Sequence, residues 1–71
     1  MEDMNYTQRL CLLRKACGYT QKELAEKIGV SRFMYIKYET RGIIPRREVL
    51  YKLADALDIT PKQLIFGNNP P

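Results

Sequence analysis

The segment between residues 31 and 47 carries the side chains of this sequence that are best suited to binding. It contains five basic residues and a single acidic one, Glu39, and so accounts for the entire net charge of +4. In the remainder of the chain, acidic and basic residues are equal in number. Charge alone is equally compatible with a polyanionic partner and with a solvated basic surface. The five basic residues are Arg32, Lys37, Arg41, Arg46 and Arg47.

The chain offers little for catalysis or for metal binding. It has no histidine, no Gly-rich phosphate loop and no carboxylate pair in a recognisable setting. Cys11 and Cys17 lie about 600° of turn apart on one helix, so they cannot pair with each other. Two cysteines do not complete a zinc site, and neither has a neighbouring base. We interpret both as free thiols, and we expect no enzyme activity, no cofactor and no small-molecule ligand.

Length and composition indicate one globular domain near the lower size limit for independent folding. The 71 residues are 45% hydrophobic and 28% charged. No apolar run approaches the roughly 18–20 residues of a membrane span. The first residues, MEDMNYTQ, are acidic and polar, unlike a signal peptide. We therefore expect no membrane association and a cytoplasmic location.

Periodicity and capping signals predict that the domain is helical throughout. Apolar residues recur at intervals of four, three and four from Tyr6 to Cys17, which places them on one helical face. The segments TQKE (20–23) and TPKQ (60–63) are typical of capping boxes, and Ser31 of an N-cap. The fold class is thus all-α, a compact five-helix bundle. We place a single domain at residues 1–67, a tail at 68–71, and helices at about 6–17, 21–28, 32–39, 46–57 and 61–66.

The second and third predicted helices are joined by a very short turn. Helices with so short a connection cross steeply, at about 90–120°. Ala25 is small enough for the inner face of the crossing, and Gly29 can adopt a positive φ at the corner. This pattern predicts a helix-turn-helix, whose second helix can enter the major groove of DNA.

The segment LRKACGYTQKELAEKIGVSRFMYIKYE resembles the helix-turn-helix of the phage repressor/Cro family, also called the XRE family. The resemblance extends through PRREVLYKLADALDITPKQLI and covers about residues 6–66. It implies a lambda repressor-like fold and a transcription regulator, foremost a repressor, that is encoded by a bacterium or a phage and associated with the nucleoid. The resemblance also implies that this regulator binds double-stranded DNA as a homodimer on an inverted-repeat operator.

The resemblance also implies roles for individual residues. Arg14 and Glu39 match a partly buried ion pair between the first and third helices. Such a pair suits Glu39, because the helix dipole disfavours an anion at a C-terminus. The expected base contacts are Arg32, Phe33, Ile36 and Lys37, and the expected DNA backbone contacts are Thr20, Gln21, Ser31, Arg41, Arg46 and Arg47.

Some residues depart from the family pattern. Tyr35 stands where Ile or Val is usual, so we expect it to pack inward with its hydroxyl near the surface. Ile43 and Ile44 replace polar or basic loop residues, which leaves fewer loop contacts to phosphate. Arg47 replaces a frequent Leu.

Two sets of apolar residues leave alternatives open. Phe33 and Ile36 share the side of Arg32 and Lys37, so they either contact thymine methyl groups or form a patch for a protein partner. The second alternative suits a protein-interaction module such as an antitoxin or anti-repressor. The last predicted helix is too short to bury three consecutive apolar residues, Leu64, Ile65 and Phe66, on one face. Ile65 and Phe66 therefore either belong to the core or contribute a dimer contact.

Overall fold

The computed structural model describes residues 4–67, which form five α-helices and contain no β-strand. The all-α class and the five-helix architecture predicted from the sequence are confirmed. The tail expected at residues 68–71 lies outside the described residues. The helices are α1 (Tyr6–Ala16), α2 (Gln21–Ile28), α3 (Arg32–Thr40), α4 (Arg47–Ala56) and α5 (Pro61–Phe66).

The helix starts follow the local capping signals. The Thr20 hydroxyl accepts from the Glu23 N–H at 3.0 Å, and the Glu23 carboxylate accepts from the Thr20 N–H at 2.8 Å. The TPKQ segment forms the same box at α5, and Ser31 caps α3. A further box at Asn5 starts α1. These caps satisfy backbone N–H groups that have no partner within their helix.

The bounds of α4 differ from the predicted range by one residue at each end. Arg46 has extended backbone (φ −63°, ψ 163°), so it precedes the helix as the N-cap, and Leu57 follows it as the C-cap. The end of α1 also falls one residue earlier than expected, whereas α3 continues one residue further, to Thr40.

The core lies where all five helices meet. The apolar spacing of α4 predicts an inner face of Leu50, Leu53, Ala54 and Leu57. This prediction is partly wrong, because Val49 is buried whereas Leu50 is only half-buried. A helix that turns about 100° per residue lets either neighbour point inward, and the packing against α2 decides which one does. The fully buried large side chains are Leu10, Leu24, Ile28, Tyr35, Leu53 and Leu64.

Cys11 and Cys17 are both free thiols, as interpreted from their spacing. Within residues 4–67 no three metal-ligating side chains come together. None of the five helices in this part of the chain combines the length and the apolarity needed to cross a membrane.

Candidate nucleic-acid interface

The helix α3 is divided lengthwise into a buried face and an outward face. Tyr35 and Tyr38 are buried, which confirms the prediction that Tyr35 packs inward. Arg32 and Phe33 are exposed on the opposite side, where Phe33 keeps 74% of its surface accessible. Ile36 and Lys37 on the same side are half-buried. These four side chains, Arg32, Phe33, Ile36 and Lys37, define the outward face of α3, which is therefore available to a partner.

The turn before α3 fixes the angle at which this face is presented. Gly29 has a φ of +79°. Glycine adopts this conformation at little steric cost because it has no Cβ atom. The Val30 N–H donates to the Ala25 carbonyl at 3.0 Å, which closes the end of α2 in a Schellman arrangement. Ala25 is itself buried, so α2 and α3 approach closely at the crossing.

A buried carboxylate, Glu39, ties α3 to the two preceding helices. Arg14 of α1 donates through Nε to Glu39 Oε2 at 2.6 Å and through Nη2 to Oε1 at 3.4 Å. The expected ion pair is thus present, and both its side chains are nearly inaccessible. Gln21 Nε2 of α2 also donates to Glu39 Oε1, at 3.2 Å. Glu39 therefore joins α1, α2 and α3 through a single side chain.

The Tyr35 hydroxyl is a further donor to this carboxylate, and it bonds Glu39 Oε2. The expectation that this hydroxyl lies near the surface is wrong, because the whole Tyr35 side chain is inaccessible. The reason is that Glu39, four residues along the same helix, supplies an acceptor inside the domain. A buried hydroxyl with a charged acceptor avoids the cost of an unsatisfied polar group.

The same bonds keep Glu39 ionised. Burial by itself acts to raise the pKa of Glu39, but the hydrogen bonds from Arg14, Tyr35 and Gln21 outweigh it and lower the pKa below its usual value. The hydrogen bond to Glu39 raises the pKa of Arg14. Burial, followed by the hydrogen bond to Glu39, raises the pKa of Tyr35. At neutral pH the cluster therefore holds one anion, one cation and one neutral phenol.

Acidification is expected to weaken the fold through Glu39. Its pKa in the folded state lies below the unfolded value of about 4.3. The ion pair therefore stabilises the fold fully above that unfolded value, and progressively less as the pH falls through the folded pKa. In urea titrations, we expect the wild-type midpoint to fall more steeply below about pH 4 than that of Glu39→Gln, which does not titrate. Parallel pH profiles for the two proteins would rule out this role of Glu39.

The remaining basic residues of the segment lie at the end of α3 and at the start of α4. Arg41 is the C-cap of α3, and Arg46 and Arg47 are the N-cap and the first residue of α4. All three are exposed, as is Arg32 at the start of α3. Among the described residues no carboxylate pairs with any of these four. Their charge is therefore free for an anionic partner.

The three polar residues expected at the DNA backbone lie at helix N-termini. Thr20 and Ser31 are the N-caps of α2 and α3, and Gln21 is the first residue of α2. The Gln21 amide has two hydrogens, and the bond to Glu39 uses one of them. The sequence gives no sign of that bond, because Gln21 and Glu39 are 18 residues apart.

A cation–π contact lies on the outward face of α3. The Lys37 Nζ is 4.9 Å from the centroid of the Phe33 ring. A similar contact on α4 places the Arg47 guanidinium 5.5 Å from the Tyr51 ring. Both pairs have the four-residue spacing at which helical side chains are neighbours, so this local signal was available in the sequence.

Comparison with known proteins places this arrangement in a family. A family model described as helix-turn-helix matches residues 12–64. The chain belongs to the phage repressor/Cro (XRE) helix-turn-helix family. This family consists of DNA-binding transcription regulators, which are not usually enzymes.

Individual relatives and solved structures agree with this assignment. The chain is 43% identical over 61 residues to the cryptic phage CTXphi transcriptional repressor RstR of Vibrio cholerae, covering 86% of this chain and 54% of the relative. The P22 c2 repressor, in complex with a synthetic operator, has a TM-score of 0.86 at 27% identity, covering 93% of this chain and 100% of that one. SinR of Bacillus subtilis, in complex with DNA, has a TM-score of 0.74 at 33% identity, covering 83% and 95%. The chain spans 54% to 59% of the length of the curated relatives it matches.

In this helix-turn-helix protein, Arg9 holds the end of α5 against α1. Arg9 Nη1 donates to the Leu64 carbonyl at 3.0 Å and to the Ile65 carbonyl at 3.3 Å. Arg9 Nη2 donates to the Met4 carbonyl at 2.6 Å. Sequence patterns gave no sign of this contact, because the Leu64 bond joins residues 55 positions apart.

The three apolar residues at the end of α5 have three different environments. Leu64 belongs to the core, Ile65 is half-buried and Phe66 is exposed. The monomer therefore does not bury all three, in agreement with the length of the helix. Phe66 is the member of the set most available to another molecule.

Proposed function

We propose that the protein is a sequence-specific transcriptional repressor that reads double-stranded DNA with α3. The observation that carries this proposal is the outward face of α3. Its basic and apolar side chains are exposed or half-buried, and Glu39 fixes the helix to α1 and α2 from the opposite side. Arg32 and Lys37 offer donors to guanine O6 and N7, and Phe33 and Ile36 offer apolar contact to thymine methyl groups. P22 c2 and SinR, which were solved in complex with an operator and with DNA, support DNA as the partner.

In this proposal the DNA backbone contacts surround α3 and set its register. The N–H groups at the starts of α2 and α3, with Thr20, Gln21 and Ser31, face one stretch of phosphates, since a helix N-terminus favours an anion. Arg41, Arg46 and Arg47 attract phosphates on the other side. Such contacts position the protein without specifying sequence.

We further propose that the repressor acts as a homodimer on an inverted repeat. Two α3 helices related by a two-fold axis would enter successive major grooves about 34 Å apart. Phe66 and the half-buried Ile65 are the residues proposed for the contact between the two copies.

Selection of bound fragments from random duplex DNA tests the proposal directly. We expect enrichment of a palindromic site, with half-sites separated by about 10 base pairs between centres. Enrichment of a single half-site would retain the reading role of α3 and refute the dimer. If no sequence is enriched, the DNA-reading role itself is wrong.

Arg46→Ala is expected to weaken binding to all duplex sequences alike. Arg46 is an exposed N-cap without a side-chain cap bond, so the substitution removes a charge and no capping bond. In the proposed homodimer each copy loses one phosphate contact, so the slope of log affinity against log salt should become about 2 units shallower, because each contact releases about one counterion. Fluorescence anisotropy on the selected site and on a scrambled duplex measures both slopes. A loss confined to the selected site would contradict this assignment and indicate base reading.

A protein-interaction module is a second candidate, favoured by the 74% exposure of Phe33. An antitoxin or anti-repressor would use the outward face of α3 against an apolar protein surface instead of a groove. The two candidates differ in salt dependence. DNA binding falls steeply between about 50 and 200 mM salt, whereas an apolar protein contact changes little over that range.

A further inference from the structure

Phe33 and Lys37 are positioned as a pair before any partner is bound. Phe33 is the most exposed of the large hydrophobic side chains among residues 4–67, and the Lys37 ammonium covers one face of its ring at 4.9 Å from the centroid. Glu39, the one acidic residue between 31 and 47, is committed to Arg14, Tyr35 and Gln21. The ring is therefore the counterpart that holds the ammonium in place.

This contact changes in strength when the outward face of α3 meets a surface. A cation–π attraction is weak while the ring is hydrated, and it grows when the ring loses its water. Entry into a groove desolvates Phe33, because it is the most exposed of the large hydrophobic side chains in the described residues. A lysine that is already held also loses less rotamer freedom on binding than a free one.

We propose that Phe33 and Lys37 form one reading unit, in which Phe33 packs on a thymine methyl group and positions Lys37 on a nearby guanine. This inference rests on the proposed function, since it assigns the base chemistry that α3 reads. Phe33 is thereby a positioning residue for a base that it does not contact. The half-site should contain a thymine and a guanine whose contributions to affinity depend on each other.

A double-mutant cycle with base substitutions tests the coupling. The proteins are the wild type, Phe33→Leu, Lys37→Met and the double variant, each titrated against the selected site and its single-base variants. Leucine keeps an apolar side chain for the methyl group but has no ring face. The position at which Lys37→Met loses its preference identifies the guanine.

We expect Phe33→Leu to lose most of the preference at that guanine as well. The double variant should bind about fivefold more tightly than independent losses predict, the size expected of a cation–π pair. Phe33→Tyr, which keeps a ring face, should retain the guanine preference. Tyr51→Leu is the matched control, because it removes the second cation–π pair at the same spacing on α4 and should leave base preferences unchanged.

Two results would overturn the inference, and they are distinguishable. In the first result, the wild type enriches a site but the affinity losses of Phe33→Leu and Lys37→Met combine independently in the double variant. Phe33 and Lys37 then do not act as one unit, while the DNA-reading function stands. If the wild type enriches no site, the proposed function fails and this inference fails with it. Thermal unfolding of each variant by circular dichroism separates loss of contacts from loss of fold.

Discussion

Replacing Glu39 with alanine is expected to lower the free energy of unfolding by about 3–5 kcal/mol, the cost of breaking a buried ion pair from one side. The substitution leaves the Arg14 guanidinium buried without its anion. It also removes the acceptor of the Tyr35 hydroxyl and of the Gln21 amide. A domain of this size has a total stability of about 0.05–0.15 kcal/mol per residue, so the loss is a large share of it.

Urea denaturation at pH 7, followed by far-ultraviolet circular dichroism, measures this loss. Glu39→Gln is a milder variant that keeps an acceptor oxygen, so it should fall between the wild type and Glu39→Ala. Glu26→Ala, an exposed acid on α2, is the matched control and should stay within about 0.5 kcal/mol of the wild type. A loss below about 1 kcal/mol for Glu39→Ala would show that the three helices do not depend on this carboxylate.

Replacing Arg32 or Lys37 with alanine is expected to lower affinity for the selected site by about 1–3 kcal/mol, or roughly five- to 150-fold. Neither side chain bonds to the rest of the described protein through a carboxylate, so truncation removes a contact to DNA and little stability. Each variant should also relax base preference at one position of the half-site, which a phosphate contact would not do.

Mobility-shift titrations on the selected site and its single-base variants measure both effects. Lys62→Ala is the matched control, since Lys62 is an exposed lysine on α5, away from the outward face of α3. If both Arg32→Ala and Lys37→Ala bind the selected site as tightly as the wild type, α3 is not the reading helix. The protein-interaction candidate would then be favoured.

The features that could be predicted from the sequence are those decided by near neighbours along the chain. The Thr20–Glu23 box involves residues three apart, and the positive φ of Gly29 depends on a single residue. The division of α3 into two faces also follows from helical periodicity alone. Residue types within one or two turns carry all of this information, so the sequence pattern was sufficient for the fold class.

The features that could not be predicted depend on where distant helices meet. The burial of the Tyr35 hydroxyl required knowing that Arg14 and Gln21 converge on the same carboxylate. The choice of Val49 over Leu50 as the buried residue of α4 depends on how that helix packs against the others. The contact of Arg9 with the end of α5 joins the first and last helices of the chain. The roles assigned to the DNA-facing residues came from the family resemblance, and they stay predictions.

The two faces of α3 separate the selective pressures on this helix. Substitutions on the buried face change stability in every setting, so they are limited to side chains that can pack inward. Substitutions on the outward face leave the core and the Glu39 bonds untouched, so they can drift toward a new operator without passing through an unfolded intermediate. The same separation makes α3 suitable for grafting, since four outward side chains could be exchanged while the rest of the domain serves as a constant scaffold.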